Sequence, residues 1–165
     1  MTGPALLHPA VRDRLAELGA PLEVMECDPA LADTAAFVEA YGVPLDRSAN
    51  TIVVASKGTE PTYVVCVVLA TTSLDVNRVV RREMGVRKAS FAGADPVRAL
   101  TGMEIGGVTP FGLPDDLPIL IDARVMDPPW IVLGGGNRSS KLKLAPSWLA
   151  MLPSARVVAD LAIGR

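Results

Sequence analysis

The sequence predicts an α+β fold with a mixed sheet on three observations. Helix signals cluster early, strand signals cluster late, and the strands join through hairpin-like turns in place of a strict βαβ alternation. Pro9 to Leu18 has apolar residues at helical spacing (Val11, Leu15, Leu18) and stops at Gly19, a residue suited to a helix C-terminal cap. Pro21 to Cys27 alternates as a strand. Asp33 or Thr34 can cap a second helix through Tyr41, ended by Gly42 with Pro44 just beyond.

Thr51 to Ala55 and Tyr63 to Leu69 are rich in β-branched residues, and SKGTEP between them carries turn residues, so the pair is expected as a hairpin at the centre of the sheet. A third helix, Asp75 to Met84, gathers Val76, Val79 and Val80 on one face and Arg78, Arg81 and Arg82 on another, with Arg87 and Lys88 close by. A fourth, Pro96 to Leu100, has Asp95 as cap and Gly102 past its end. Beyond Pro110 the strands are Ile119 to Ile121, Ile131 to Leu133 and Lys141 to Leu144. A short helix at Ser147 to Met151 and a last strand or helix at Val157 to Leu161 complete the chain.

A length of 165 residues fits one domain, 1–165, large enough for a core without disulfide or metal support. Half the residues are apolar, yet no apolar run reaches the roughly 18 residues that cross a bilayer. The N-terminus does not resemble a secretory signal, so the cytoplasm is the expected location and no membrane partner is expected. Cys27 and Cys66 lack metal-ligand spacing and are expected as buried thiols. A net charge of −2 disfavours extensive wrapping of nucleic acid, and DNA is not an expected partner, although a local basic patch suffices to hold one RNA end.

His8, the only histidine, lies in the N-terminal arm, which argues against a Ser/His/Asp or Cys/His apparatus. No HExxH, paired-cysteine or calcium-loop pattern occurs, and neither a Walker loop nor a dinucleotide fingerprint is satisfied. Neither metal nor cofactor is therefore expected. What remains is two glycine-rich segments, TGMEIGGVTPFGLP from Thr101 and LGGGNR from Leu133. Glycine leaves backbone N–H groups open to a ligand, although such runs also serve tight turns. Thr71, Thr72 and Ser73 have no nearby base and are expected to cap a loop.

Five blocks, TAAFVEAYGVP, NTIVVASKG, LDVNRVVRREMGVRKASFAGADPVRALTG, GGVTPFGLP and IVLGGGNRSSKLKLAPSWL, carry a resemblance that runs from about Pro21 to Leu161. In their order and spacing the chain resembles the YbaK and prolyl-tRNA-synthetase-associated domain family of aminoacyl-tRNA deacylases. The resemblance implies a compact domain with a mainly antiparallel, barrel-like sheet surrounded by helices. It also implies hydrolysis, in trans and without cofactor, of the ester between a mischarged amino acid and the 3′ end of tRNA. An aminoacyl-tRNA synthetase is a further candidate partner. In such domains the loop matching Gly106, Gly107, Thr109, Pro110, Phe111 and Gly112 lines the amino-acid pocket. Its backbone positions the carbonyl and the attacking water, and a ribose hydroxyl of the substrate assists.

Gly106 and Gly107 are accordingly the candidate catalytic backbone groups, with Asn50 contacting the terminal adenosine. Many active members carry lysine where this chain has Asn50. Asn50 can donate a hydrogen bond but no charge, and its other reading is a turn residue entering a strand. Members acting on cysteinyl-tRNA(Pro) have a serine before the second glycine loop and an acid after it. Here Gly134, Gly135 and Gly136 lead to Lys141, so both polar positions differ. The expected substrate instead carries a small or medium aliphatic amino acid. Asp122, ending an apolar strand, is a candidate acceptor in the pocket or a cap of the next turn.

Lys141 and Lys143 alternate with Leu142 and Leu144, which reads as a strand with one basic face, either solvated or touching tRNA phosphates. They are the first choice for phosphate contacts, with Arg78 and Arg82 second. Gly107→Val is expected to spare the fold and remove activity or binding.

Overall fold

The computed structural model describes residues 3–164. Helix α1 spans Pro9–Leu18 and α2 spans Thr34–Tyr41, each closed by a left-handed glycine, Gly19 and Gly42. Between them lies β1, Glu23–Glu26. Next come β2 (Ala49–Ser56), β3 (Tyr63–Leu69) and β4 (Thr72–Leu74). A helical stretch follows, wound as a π turn over Val76–Val80 and as α3 over Arg81–Met84. Then come β5 (Ala89–Phe91) and α4 (Ala94–Thr101). The remainder holds β6 (Ile119–Asp122), β7 (Ile131–Gly134), β8 (Ser140–Leu144), a 3-10 helix at Pro146–Met151, β9 (Ala155–Val158) and β10 (Ala162–Gly164).

The expected central hairpin is present, with β2 and β3 paired antiparallel from Ala49 opposite Leu69 to Ala55 opposite Tyr63. It sits inside a five-stranded sheet ordered β5-β2-β3-β6-β9, in which β3–β6 and β6–β9 are parallel. A three-stranded antiparallel sheet, β1-β8-β7, faces it, and β10 pairs with β4. The sheets do not close into a barrel, although a parallel bridge between Ser48 and Val132 ties two of them together.

The uninterrupted apolar run of β3 follows from burial on both faces. Val65, Val67 and Leu69 enter a core shared with α1, α4, β7 and β8. Val64, Cys66 and Val68 instead meet Val76, Val79 and Val80. The apolar face read from the third helix is therefore the one that packs. Cys27 and Cys66 are free and buried, and burial pushes the Cys66 thiol up to about 12.

Three local readings change. Helix α4 starts at Ala94 with Gly93 as its cap, so Asp95 lies inside the first turn and pairs with Arg98 at 3.1 Å. Thr72 and Ser73 belong to β4 and not to a capped loop, and the Thr72 hydroxyl donates to Leu69 O at 2.7 Å. The C-terminal segment resolves into two strands, β9 and β10. Among the described residues no helix is long and apolar enough to cross a membrane.

Candidate functional site

Strand β2 is paired with β3 along its length but with β5 only from Val54 to Ser56. Ala92 N–H donates to Val53 O at 2.9 Å, which places that carbonyl on the side away from β3. By the two-residue alternation of an antiparallel ladder, the N–H and C=O of Thr51 point to the same side. There the edge is bounded by the ends of β5 and β7, and a cavity of about 300 Å³ fills the gap. Ala49, Val53, Ala92, Val97 and Val108 supply its apolar wall, with Phe91 and Ile105 toward the rim. Gly106 and Gly134, one from each glycine segment, also line it.

The polar wall is Asp33, Thr34, Asn50, Thr51 and Lys141. Asn50 Oδ1 accepts from the Thr34 hydroxyl, which fixes its amide. Among the described residues Thr51 Oγ1 is a buried oxygen without a hydrogen-bond partner, in a residue that lines the cavity. Lys141 is 6% exposed, and its ammonium donates to Ala32 O at 2.6 Å and Gly106 O at 3.3 Å. It also lies 5.2 Å from the centre of the Phe37 ring. Burial pushes its pKa below the ordinary lysine value, opposed by Cys27 and Asp33 and reinforced by Arg138.

Asp33 occupies the N-cap position of α2 without capping it, because its carboxylate pairs with Arg138 Nη1 at 3.2 Å. Arg138 also donates to Pro29 O and Ile105 O, and its backbone N–H donates to Glu104 Oε2 at 2.7 Å. This one residue ties the chain entering α2 to both glycine segments. Sequence reasoning missed Asp33 as more than a cap, and missed Thr34, Thr51, Phe91 and Arg138 as site residues. The unusual Asn-Arg after three glycines was the available signal for Arg138.

Asn50, Gly106, Gly134 and Lys141 thus converge, whereas the other candidate residues lie elsewhere. Gly107 is packed against the second loop: its N–H donates to Glu104 O at 2.9 Å and its carbonyl accepts from Gly136 N at 2.7 Å. With that N–H engaged, it is not available to orient an ester. Thr109 and Phe111 are fully buried, and Phe111 belongs to the main core. Pro110 is buried beside them, and Gly112 packs against the backbone of Ala10 and Val11, so a turn and core role accounts for this stretch.

Gly135 and Gly136 seat the second loop on α1. His8 N donates to Gly135 O at 3.0 Å, and a side chain at Gly136 would meet His8 and Val11. His8 itself caps α1 through Nδ1, which accepts from Ala10 N, and Nε2 then donates to Gly102 O at 3.0 Å. Asp122 is fully buried at the end of β6, where burial raises its pKa and Arg124 at 3.4 Å opposes the rise. It does not line the cavity.

Lys141 and Lys143 do share one strand face, but Lys141 is buried in the cavity and only Lys143 keeps part of its side chain in solvent. Lys143 lies over the Trp130 ring at 4.1 Å and near Glu23 at 3.9 Å. Arg78 is paired with Asp75 at 3.1 Å. Among the described residues no group of three or more His, Cys, Asp or Glu converges to hold a metal.

An α+β sheet with a cavity on an open strand edge, backed by two glycine segments, places the chain in a structural class with known members. The hypothetical protein APE2540 superposes with a TM-score of 0.81 at 22% identity, over 93% of this chain and 99% of that one. A protein proposed to be a trans-editing enzyme for prolyl tRNA synthetase superposes with a TM-score of 0.78 at 24% identity, over 96% and 99%. The chain belongs to the aminoacyl-tRNA editing domain family, which it matches over residues 28–151. The uncharacterized protein YwhH of Bacillus subtilis (strain 168) is 28% identical over 151 residues, covering 92% of this chain and 94% of that protein.

Proposed function

We propose that this protein deacylates mischarged tRNA in trans, taking the aminoacyl group into the cavity on the β2 edge. The observation that supports this most is the convergence of Asn50, Thr51, Lys141 and Gly106 on that cavity in a member of the editing family. Water adds to the ester carbonyl carbon, the bond to the ribose oxygen breaks, and that oxygen takes a proton. The products are the free amino acid and a tRNA with its terminal hydroxyl restored.

The apolar wall of Ala49, Val53, Val97 and Val108 suits a small or medium aliphatic side chain. Lys141 and the Thr51 hydroxyl bind the oxygens of the ester, Gly106 shapes the backbone beside them, and Asn50 contacts the terminal adenosine. A ribose hydroxyl of the substrate orients the water, a role that needs no histidine. Release of amino acid by purified protein from a panel of mischarged tRNAs tests the reading. No release above the spontaneous rate from any of them would remove the enzyme claim.

The second reading is a binding module for aminoacyl-tRNA ends, favoured by Asn50 standing where many active members carry lysine. Asn50→Ala is expected to lower kcat/KM about tenfold, the worth of one or two neutral hydrogen bonds. If the wild type is inert and Asn50→Lys creates activity, the binding module is the correct reading.

A further inference from the structure

Lys141 is buried inside the cavity and Lys143 lies over Trp130 with only a third of its side chain exposed, so neither first-choice phosphate contact is fully open to a polyanion. A different cluster is. A recess of about 400 Å³ is lined by Lys57, Asn77, Arg81, Arg87, Lys88 and Ala89, from the end of β2, the helical stretch and the loop entering β5. No acidic side chain lies within 4.0 Å of its four cations among the described residues, since Asp75 is paired with Arg78 and Glu83 with Arg156. Arg81 is held in place by carbonyls, donating to Asn77 O at 3.0 Å and Arg87 O at 3.3 Å, so its charge is fixed but not neutralised.

The recess and the cavity sit at opposite ends of β5. Ala89 lines the first and Phe91 the second, about 7 Å apart at the rise of an extended strand. Phe91 is 63% exposed, an aromatic face open to solvent beside the cavity. Clustered unpaired cations followed by an exposed ring form a phosphate site and a stacking platform in series, which is how single-stranded nucleic acid is held without sequence readout. A membrane surface would be met by cations spread over a flat face, whereas these line a recess.

We propose that Lys57, Arg81, Arg87 and Lys88 bind backbone phosphates of an RNA 3′ strand, and that Phe91 stacks on a base as the strand enters the cavity. This rests on the deacylase reading for its choice of RNA. The test compares wild type, Lys57→Ala/Arg87→Ala/Lys88→Ala and Phe91→Ala, leaving out Arg81 because its carbonyl contacts brace the loop. Binding of uncharged tRNA is measured across a KCl series, and hydrolysis is measured on aminoacyl-tRNA and on a 3′-aminoacyl-adenosine too short to reach the recess.

The triple variant is expected to bind tRNA at least tenfold more weakly in low salt, with a salt slope shallower by about 2, at roughly 0.7 per phosphate contact. Phe91→Ala is expected to weaken binding several-fold with the slope unchanged, since stacking releases no counterion. Hydrolysis of the short ester by the triple variant stays at the wild-type rate. Wild-type affinity and slope in the triple variant would overturn the proposal, as would the absence of any tRNA binding by the wild type. If tRNA binding depends on these cations while neither ester is cleaved, the surface stands and the hydrolase reading falls.

Discussion

Lys141→Met is expected to lower deacylation about 10- to 100-fold while raising the stability of the fold. The activity loss is the worth of one charge-assisted hydrogen bond, about 1.5–3 kcal/mol. Two of the three ammonium protons are held by Ala32 O and Gly106 O, which leaves one to meet an ester or ribose oxygen in the cavity. The stability gain has a definite sign with pH. Burial lowers the pKa of Lys141 in the folded state, so between that value and the unfolded 10.5 the unfolded chain binds more protons.

Wild-type stability therefore falls as pH drops through that window, and the advantage of the methionine variant grows in step. Above 10.5 the part of the difference that depends on pH is gone. The wild-type rate should decline as pH rises while still below the ordinary lysine range, and the variant should lack that limb. Denaturant melts at several pH values and a pH profile of kcat/KM check both. A variant with wild-type kcat/KM would show that Lys141 only braces Ala32 and Gly106.

How far the sequence reaches depends on how local each determinant is. Helices α1 and α2 and strand β3 match their expected spans because Gly19, Gly42 and the apolar run of β3 are signals within each segment. Strands β4 and β5 have three residues each, too few for a period to register. The glycine segments pointed to the right region, but only Gly106 and Gly134 among their glycines line the cavity.

The cavity itself comes from a gap in strand pairing beside Thr51, a relation among β2, β5 and β7 that no local pattern encodes. Lys141 shows the same limit. The alternation that buries Leu142 and Leu144 was legible, whereas the cover on the opposite face comes from Phe37 and Ala32, about a hundred residues earlier. Asp122 failed for a related reason, because the end of an apolar strand says nothing about which end of the sheet carries the site.

Gly107→Val is expected to destabilise the fold by about 3 kcal/mol or more, a drop in Tm of roughly 6–12 °C for a chain of this size. This reverses the expectation that the fold would be spared, and the reason is space, not backbone torsion. A Cβ on Gly107 would lie 2.0 Å from Asn137 O and 2.5 Å from its carbonyl carbon. Those are backbone atoms of the second glycine loop, which cannot rotate aside as a side chain would. Parting the loops would also break the bond from Gly136 N to Gly107 O and shift Gly134, whose own Cβ position abuts Gly107 O. Gly85→Ala is the matched control. Gly85 has a φ of +69° with nothing near its Cβ position, so that variant carries only the left-handed backbone penalty of about 1–2 kcal/mol. Thermal melts of the two variants beside the wild type separate the causes. If Gly107→Val melted with the wild type while losing tRNA deacylation, the two loops would have to part freely, and Gly107 would face the ligand after all.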